Sequence, residues 1–232
     1  MNRKDFEIEI CAGNIESVLA ADMGGADRVG LCENLFEGGT TPSLGSIVLS
    51  KEKCSLDVFV IIRPREGDFV YSEIEFEVML KDIQSAVEIG ADGIVIGCLK
   101  PDGTVDLEKC SRLIEAAKGL TVTFHRAFDV TPNPFEALET IKSLGVDRIL
   151  TSGQKSKAED GIELIRELQE NAGANLRIMA GSGIDESNIL KIASKTGVNS
   201  FHASLREDAE TKNFKITSSS RVKALINKIE EL

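Results

Sequence analysis

Apolar and polar positions alternate along this chain in short bursts, and longer stretches of helical periodicity separate them. The bursts are "FEIEIC" (6–11), "RVGLCE" (28–33), "VFVIIRPR" (58–65), "GIVIGCL" (93–99), "TVTFHRAF" (121–128), "RILTSG" (148–153), "RIMAGSG" (177–183) and "SFHASL" (200–205). Each has the length and the alternating or continuously apolar character of a strand. Between them "IESVLAADMGG" (15–25), "EFEVMLKDIQSAVEIG" (75–90), "NPFEALETIKSLG" (133–145) and "GIELIRELQENAG" (161–173) follow the helical period. Most close on Gly, the residue suited to the left-handed position after a helix. Pro134 stands near the start of its helix, where a missing N–H costs nothing. "SSSRVKALINKIEEL" (218–232) reads as an eighth helix with a serine N-cap.

The count is supported by an internal repeat. "GADRVGL" (25–31), "GADGIVI" (90–96), "GVDRILT" (145–151) and "GVNSFHA" (197–203) share the frame Gly, small apolar, Asp or Asn, then strand. They recur at about a quarter of the chain, so the unit is strand–helix–strand–helix, four times over. Eight parallel strands with right-handed crossovers close into a (β/α)8 barrel, expected here as one α/β domain over residues 1–232. The alternative is an open doubly wound sheet. It lacks its signature, since "CAGNIES" after the first strand holds a single Gly. The polar segment "REDAETKNFK" (206–215) is expected as an irregular loop.

Barrel strands alternate between the interior and the helix layer. Assigning the apolar set to the helices puts Glu7, Glu9 and Cys11 inside on strand one, and Arg28, Gly30 and Cys32 on strand two. Thr121, Thr123 and His125 face in from strand five, Arg177, Met179 and Gly181 from strand seven, and Ser200, His202 and Ser204 from strand eight. Arg63 and Arg65 share a face at the end of strand three. This interior is charged, and buried charges need partners. Arg28, Arg63 and Arg177 are the candidates for Glu7 and Glu9. Glu7, Arg28 and Arg177 fit a structural ion network near the N-terminal face. Glu9, Arg63, Arg65, His125 and His202 lie toward the C-terminal strand ends, where barrels place their sites.

Composition narrows the partners. The 232 residues carry a formal charge of −11, with a pI near 4.8. Nucleic-acid surfaces are basic, so no nucleic-acid partner is expected. No signal peptide or membrane span is expected, because "MNRKDFEIEI" turns charged at once. Five cysteines without a CxxC pair, in a chain with no export signal, read as reduced cytoplasmic thiols.

Three constellations carry candidate chemistry. Cys11 and Cys32 face inward near the ends of adjacent strands, about 4.8 Å apart. There they either share a soft metal such as Cu(I) or are small buried hydrophobes. "MAGSGI" (179–184) follows strand seven. Its Gly181 and Gly183, before a helix with Asp185 as N-cap, either bring N–H groups to an anion or form a tight turn. "TSGQKS" (151–156), with Ser152 and Lys155, offers a similar turn. The third set is Glu9, Glu33, Arg63, Arg65, His125, Arg126 and Asp129. Glu9 and His125 are candidates for acid–base work, with Arg63 and Arg65 in "RPREGDF" (63–69) holding a carboxylate or phosphate. For His125 the alternative is a neutral core imidazole bonded to Thr123 or a carbonyl. Arg126 alternates outward, toward Asp129 or the helix layer.

The blocks "IEICAGNIESVLAADMGGADRVGLCENLFEGGTTPSLG" (8–45), "IRPREGDFVYS" (62–72), "VTFHRAFD" (122–129), "LTSGQKSKAEDG" (150–161) and "IMAGSG" (178–183) stand in order over nearly the whole chain. Together they resemble the copper homeostasis CutC family. The resemblance implies a cytoplasmic (β/α)8 barrel, homo-oligomeric as a dimer or tetramer, that binds Cu(I) through Cys11 and Cys32. An enzymatic activity is also suspected in the family, so a small anionic, phosphorylated metabolite is the alternative ligand. The sequence departs from the family pattern in two places. Gly30 stands where Glu is expected, and the acidic 206–217 segment replaces a Ser/Arg-rich stretch.

Overall fold

Eight parallel strands, each followed by a helix, close on themselves in the order β1 to β8 in the computed structural model, which describes residues 3–209 and 214–230. The strands are β1 Glu7–Ala12, β2 Arg28–Leu31, β3 Asp57–Ile61, β4 Gly93–Ile96, β5 Thr121–Phe124, β6 Arg148–Thr151, β7 Arg177–Gly181 and β8 Ser200–Ala203. The helices are α1 Ile15–Gly24, α2 Leu44–Lys53, α3 Glu73–Ile89, α4 Leu107–Ala116, α5 Pro134–Ser143, α6 Ile162–Ala172, α7 Ile189–Thr196 and α8 Ser219–Glu230. Residues 231–232 of the expected last helix lie outside the described residues.

Local chemistry sets the helix ends. Asn14 caps α1 by accepting from Ser17 N, and Gly25 closes it at φ 83°. Ser72 and Glu75 form a capping box on α3. The expected cap at Asp185 is not there. α7 begins at Ile189 after Asn188, and Asp185 instead accepts from Ser187 N and Oγ. Its carboxylate is engaged in a tight turn three residues ahead of the cap. The segment after β8 is likewise not irregular throughout. Arg206–Asp208 (β9) and Lys215–Thr217 (β10) pair antiparallel, and Thr217 N donates to Ser17 Oγ to fix the pair against α1. The connecting residues 210–213 of the expected loop lie outside the described residues.

The helix-facing side chains make the apolar core. Ile8, Ile10, Val29, Leu31, Phe124 and Phe201 are all fully buried. The interior holds the charges, as the alternation requires. Glu7 accepts from Arg148 Nε and Nη2 at 3.0 and 2.8 Å, from Arg177 Nη1 at 2.9 Å and from Ser200 Oγ at 2.9 Å. Arg28 Nη2 stands 3.4 Å from it. Arg148 was not among the expected partners, because "RILTSG" is too evenly apolar to sort by face. Arg28 also stands over the inward Phe59, its guanidinium carbon 4.2 Å from the ring centroid. Arg63 does not join this network.

Burial pushes the Glu7 carboxyl up, but the bonds from Arg148 and the charges of Arg28 and Arg148 outweigh it and hold it below 4.5. A carboxyl depressed in the folded state stabilises it above the unfolded value and loses that contribution as pH falls. Glu7→Gln should therefore cost about 3 kcal/mol at pH 7, chiefly by leaving the mostly buried Arg148 without its carboxylate partner. The gap to wild type should narrow as pH drops below 4.5. Urea melts of both proteins between pH 3 and 7 measure this, and a gap independent of pH contradicts it.

Candidate functional site

The register of the barrel seam builds the site. In the β1–β8 pair Glu9 stands opposite His202, and in the β1–β2 pair it stands opposite Arg28. One carboxylate thus lies between two cations supplied by its two neighbouring strands. His202 Nδ1 is 2.5 Å from Glu9 Oε1, and Arg28 Nε is 2.8 Å from Oε2. Glu9 is 1% exposed. Burial alone would raise its carboxyl, yet the charge of Arg28 and the His202 hydrogen bond prevail and hold it at about 2. Gly30 leaves room for this arrangement. A Cβ there would come within 3.0 Å of Glu9 Oε1 and 3.3 Å of His202 Cε1.

Cys11 and Cys32 sit one step further along the same strands, with their sulfurs 3.9 Å apart. Cys32 is buried and Cys11 half-buried. The hydrogen bond from Cys32 pulls the Cys11 thiol well below its ordinary value against the cost of burial, and the His202 charge adds to it. The Cys32 thiol moves up instead, through that same bond and its own burial. Burial opposes charge on His202, but Cys11 and Glu9 outweigh it and lift the imidazole to about 10. The seam thus sets the Cys11 thiol, the His202 ring and the Glu9 carboxylate in direct sequence.

His125 behaves differently. It is 4% exposed and follows β5 as the cap of the short 3-10 turn Arg126–Val130. Its Nδ1 accepts from Ala127 N at 3.2 Å, which leaves the proton on Nε2, an atom buried without a partner. The ring packs so closely on Gly97 that a Cβ there would stand 2.5 Å from Cε1. Burial, and then the charge of Arg63, push the imidazole down to about 3. The Nδ1 bond comes from a backbone amide and not from Thr123, whose hydroxyl is buried without a partner. Of the expected acid–base pair, Glu9 stays ionised and His125 stays neutral near pH 7.

These groups line a cavity of about 290 Å³ at the C-terminal mouth, whose walls include Glu9, Cys11, Cys32, Arg63, His125, Arg126, Asp129 and His202. Leu31, Ile61, Phe69, Val95, Val130 and Leu150 supply apolar walls. Arg63 is 4% exposed and ties the loops together. Its Nη1 donates to the carbonyls of Glu37 and Gly39, and its Nη2 to that of Gly67.

Five other residues with a sequence-based claim stand outside these walls. β3 ends at Ile61, so alternation does not carry Arg65 to the mouth. It bonds Glu75 and Asp68 instead. Glu33 accepts from Ser43 N and Ser46 Oγ at the start of α2. Ser152 lies beneath Asp129, bonded to it through N and Oγ. Gly181 backs the wall, where a Cβ would meet Leu150 Cδ1 at 2.5 Å. Gly183 opens instead on a separate surface cavity with Arg206, Lys215 and Arg221.

Arg126 is the residue that alternation misplaced. The strand stops at Phe124, and the 3-10 turn swings Arg126 over the mouth. Its Nε donates to Asp129 Oδ2 at 2.8 Å and its Nη2 to Ser152 Oγ at 2.8 Å. The pairing with Asp129 is as expected, but the direction is inward. The available signal was the spacing Arg126 to Asp129, which fits one helical turn better than a strand.

With one histidine at about 3 and the other at about 10, neither ring should titrate between pH 5 and 8. Ring nitrogen NMR of the two histidines is expected to show a constant neutral Nε2–H tautomer for His125 and a constant imidazolium for His202. A midpoint near 6.5 for either ring would refute the electrostatics described above.

The comparisons with known proteins agree with this barrel. The CutC family model matches residues 6–207. A CutC family protein of Bacteroides fragilis is 51% identical over 209 residues, covering 90% of this chain and 83% of the relative. The human copper homeostasis protein cutC homolog is 46% identical over 206 residues, covering 89% of this chain and 76% of the relative. A crystal structure of CutC from Streptococcus agalactiae superposes with a TM-score of 0.82 at 36% identity, covering 85% of this chain and 98% of that one. The chain belongs to the CutC family.

Proposed function

We propose that the protein serves copper homeostasis by binding Cu(I) through Cys11 and Cys32 at the barrel mouth, as a cytoplasmic homo-oligomer. The observation that supports it is the sulfur pair at 3.9 Å. Two metal–thiolate bonds of about 2.3 Å each can span that gap. Thiolate is the donor that selects Cu(I) over harder ions. Among the described residues no group of three or more His, Cys, Asp or Glu side chains converges as a metal site. Ions that need three or four protein ligands are therefore poorly matched, and a two-thiolate soft ion is the better fit. The His202 charge beside Cys11 favours its thiolate form, and the Arg206 charge partly offsets the rise of the Cys32 thiol. No helix among the described residues is long and apolar enough to cross a membrane.

A second reading, binding or conversion of a small anionic metabolite, has its own support in the cavity beside the thiols and in the Arg126 guanidinium at its rim. In that reading Glu9 fixes the orientation and charge of His202, and His125 contributes an uncharged wall. Arg63 holds the loops that shape the cavity, and Asp129 and Ser152 hold Arg126.

Anaerobic titration with a Cu(I) chelator as competitor tests the first reading. Wild type is expected to take one Cu(I) per chain. Cys11→Ala and Cys32→Ala should each weaken binding by at least about 100-fold, near 2.7 kcal/mol. Cys54→Ala, a half-buried thiol bonded only to the Leu56 carbonyl, should leave it unchanged. Unaltered stoichiometry and affinity in the Cys11/Cys32 double variant sinks the proposal.

A further inference from the structure

We infer that the mouth cavity is a receptor for a small monocarboxylate with an apolar body, anchored through its carboxylate on Arg126. The inference rests on the second reading above and narrows it from anionic metabolites at large to one chemical class.

The anchor is built before any ligand arrives. Two of the three guanidinium nitrogens are committed: Nε to Asp129, and Nη2 to Ser152 Oγ and to the Lys155 carbonyl at 3.4 Å. Asp129 is itself immobilised. It accepts from Thr151 Oγ1 at 2.5 Å, from Ser152 N and Oγ, and from Gln154 N at 3.1 Å. Its side chain is 6% exposed, whereas that of Arg126 is 42% exposed. The support is thus buried and its tip is open. Nη1 is left with no hydrogen-bond partner among the described residues. Fixing a side chain in advance removes the ordering cost that a free surface arginine would incur on binding.

Charge and wall chemistry then choose among anions. Arg63 lines the same cavity, but its Nη groups are spent on three carbonyls and its unpartnered Nε is buried within the wall. The His202 cation faces Glu9 at 2.5 Å. The buried His125 ring carries no charge near pH 7 and adds none to the cavity. Arg126 is therefore the lining cation that offers a free nitrogen from an open side chain, 42% exposed, while Glu9, Glu37 and Asp129 supply negative charge. Arg63, Arg126 and His202 set against Glu9, Glu37 and Asp129 leave the lining close to balanced, so a monoanion is easier to hold there than a phosphate dianion. A carboxylate needs one cation and brings one charge. The remaining walls are Leu31, Ile61, Phe69, Val95, Val130 and Leu150. They offer a sugar few hydrogen-bond partners and suit an aliphatic or aromatic body. At about 290 Å³ the cavity lies at the small end of ligand sites.

The test uses the metal-free full chain under reducing conditions. Its matched probes are phenylacetate, phenyl phosphate and phenylacetamide, together with 3-methylbutanoate, benzoate and inorganic phosphate. Thermal shift screens the set and calorimetry measures it. At least one monocarboxylate should bind, at least 10-fold tighter than its matched amide or phosphate. Arg126→Gln should weaken it at least 10-fold, and Arg126→Lys less. Arg166→Gln, on the exposed face of α6, should leave it unchanged. Should Arg126→Gln fail to fold, Val130→Glu adds a negative charge at an exposed rim position and is expected to weaken carboxylates at least 10-fold. If phosphates bind tighter than carboxylates and depend on Arg126, the class assignment is overturned while the anion-cavity reading survives. If carboxylates bind with no dependence on Arg126 or Val130, the anchor is wrong. If no probe of either class binds, the anion-cavity reading falls with it.

Discussion

The buried carboxylate of Glu9, fixed between Arg28 and His202 across the β8–β1–β2 seam, is the constraint around which the mouth is organised. An isolated carboxylate at 1% exposure would cost far more than the fold could bear. Its two neighbours make it tolerable, and in return it fixes theirs. Below it Arg28 reaches down to Glu7, which gathers Arg148 and Arg177. Above it His202 reaches toward Cys11. The barrel interior is thus a ladder of alternating charge from the N-terminal face to the thiols. The usual apolar layers of such barrels give way here to paired ions, with Phe59 as an aromatic floor under Arg28 and Arg148.

Much of this was legible in the sequence because strand alternation has a period of two, and a barrel gives that parity a meaning. The parity of "FEIEIC" alone puts Glu7, Glu9 and Cys11 on one side, and "SFHASL" puts Ser200 and His202 beside them. The repeated Gly–small–Asp/Asn frame supplied the closure. Parity fails where strands end. Arg65 and Arg126 were both assigned by continuing an alternation past its last hydrogen-bonded residue, Ile61 in one case and Phe124 in the other. Both assignments came out inverted: Arg65 leaves the mouth and Arg126 enters it. Arg63 kept its place, but its partners are loop carbonyls, which no residue identity announces. The 206–217 segment hid its pairing for a related reason. Its strands are three residues long and polar, so no apolar rhythm betrays them.

The two functional readings divide the mouth without competing for the same atoms. The sulfurs belong to β1 and the end of β2, while Arg126 and Asp129 belong to the turn after β5, across the barrel. The apolar walls lie between them. A soft cation on the thiols and a carboxylate on Arg126 could therefore occupy one cavity together. The chain's affiliation with copper homeostasis proteins and its well-formed organic cavity need not be alternatives.

The His125 cap gives one residue two unrelated duties. Its ring holds the amide of Ala127 and so sets the turn that delivers Arg126 and Asp129 to the mouth. The same ring forms part of the cavity wall. Evolution cannot easily tune the second duty without disturbing the first. Only a side chain that accepts at the near atom and fits flat against Gly97 satisfies both. Such coupling makes the position rigid in composition whatever the ligand is, so an unvarying histidine there among related chains would not by itself signify catalysis.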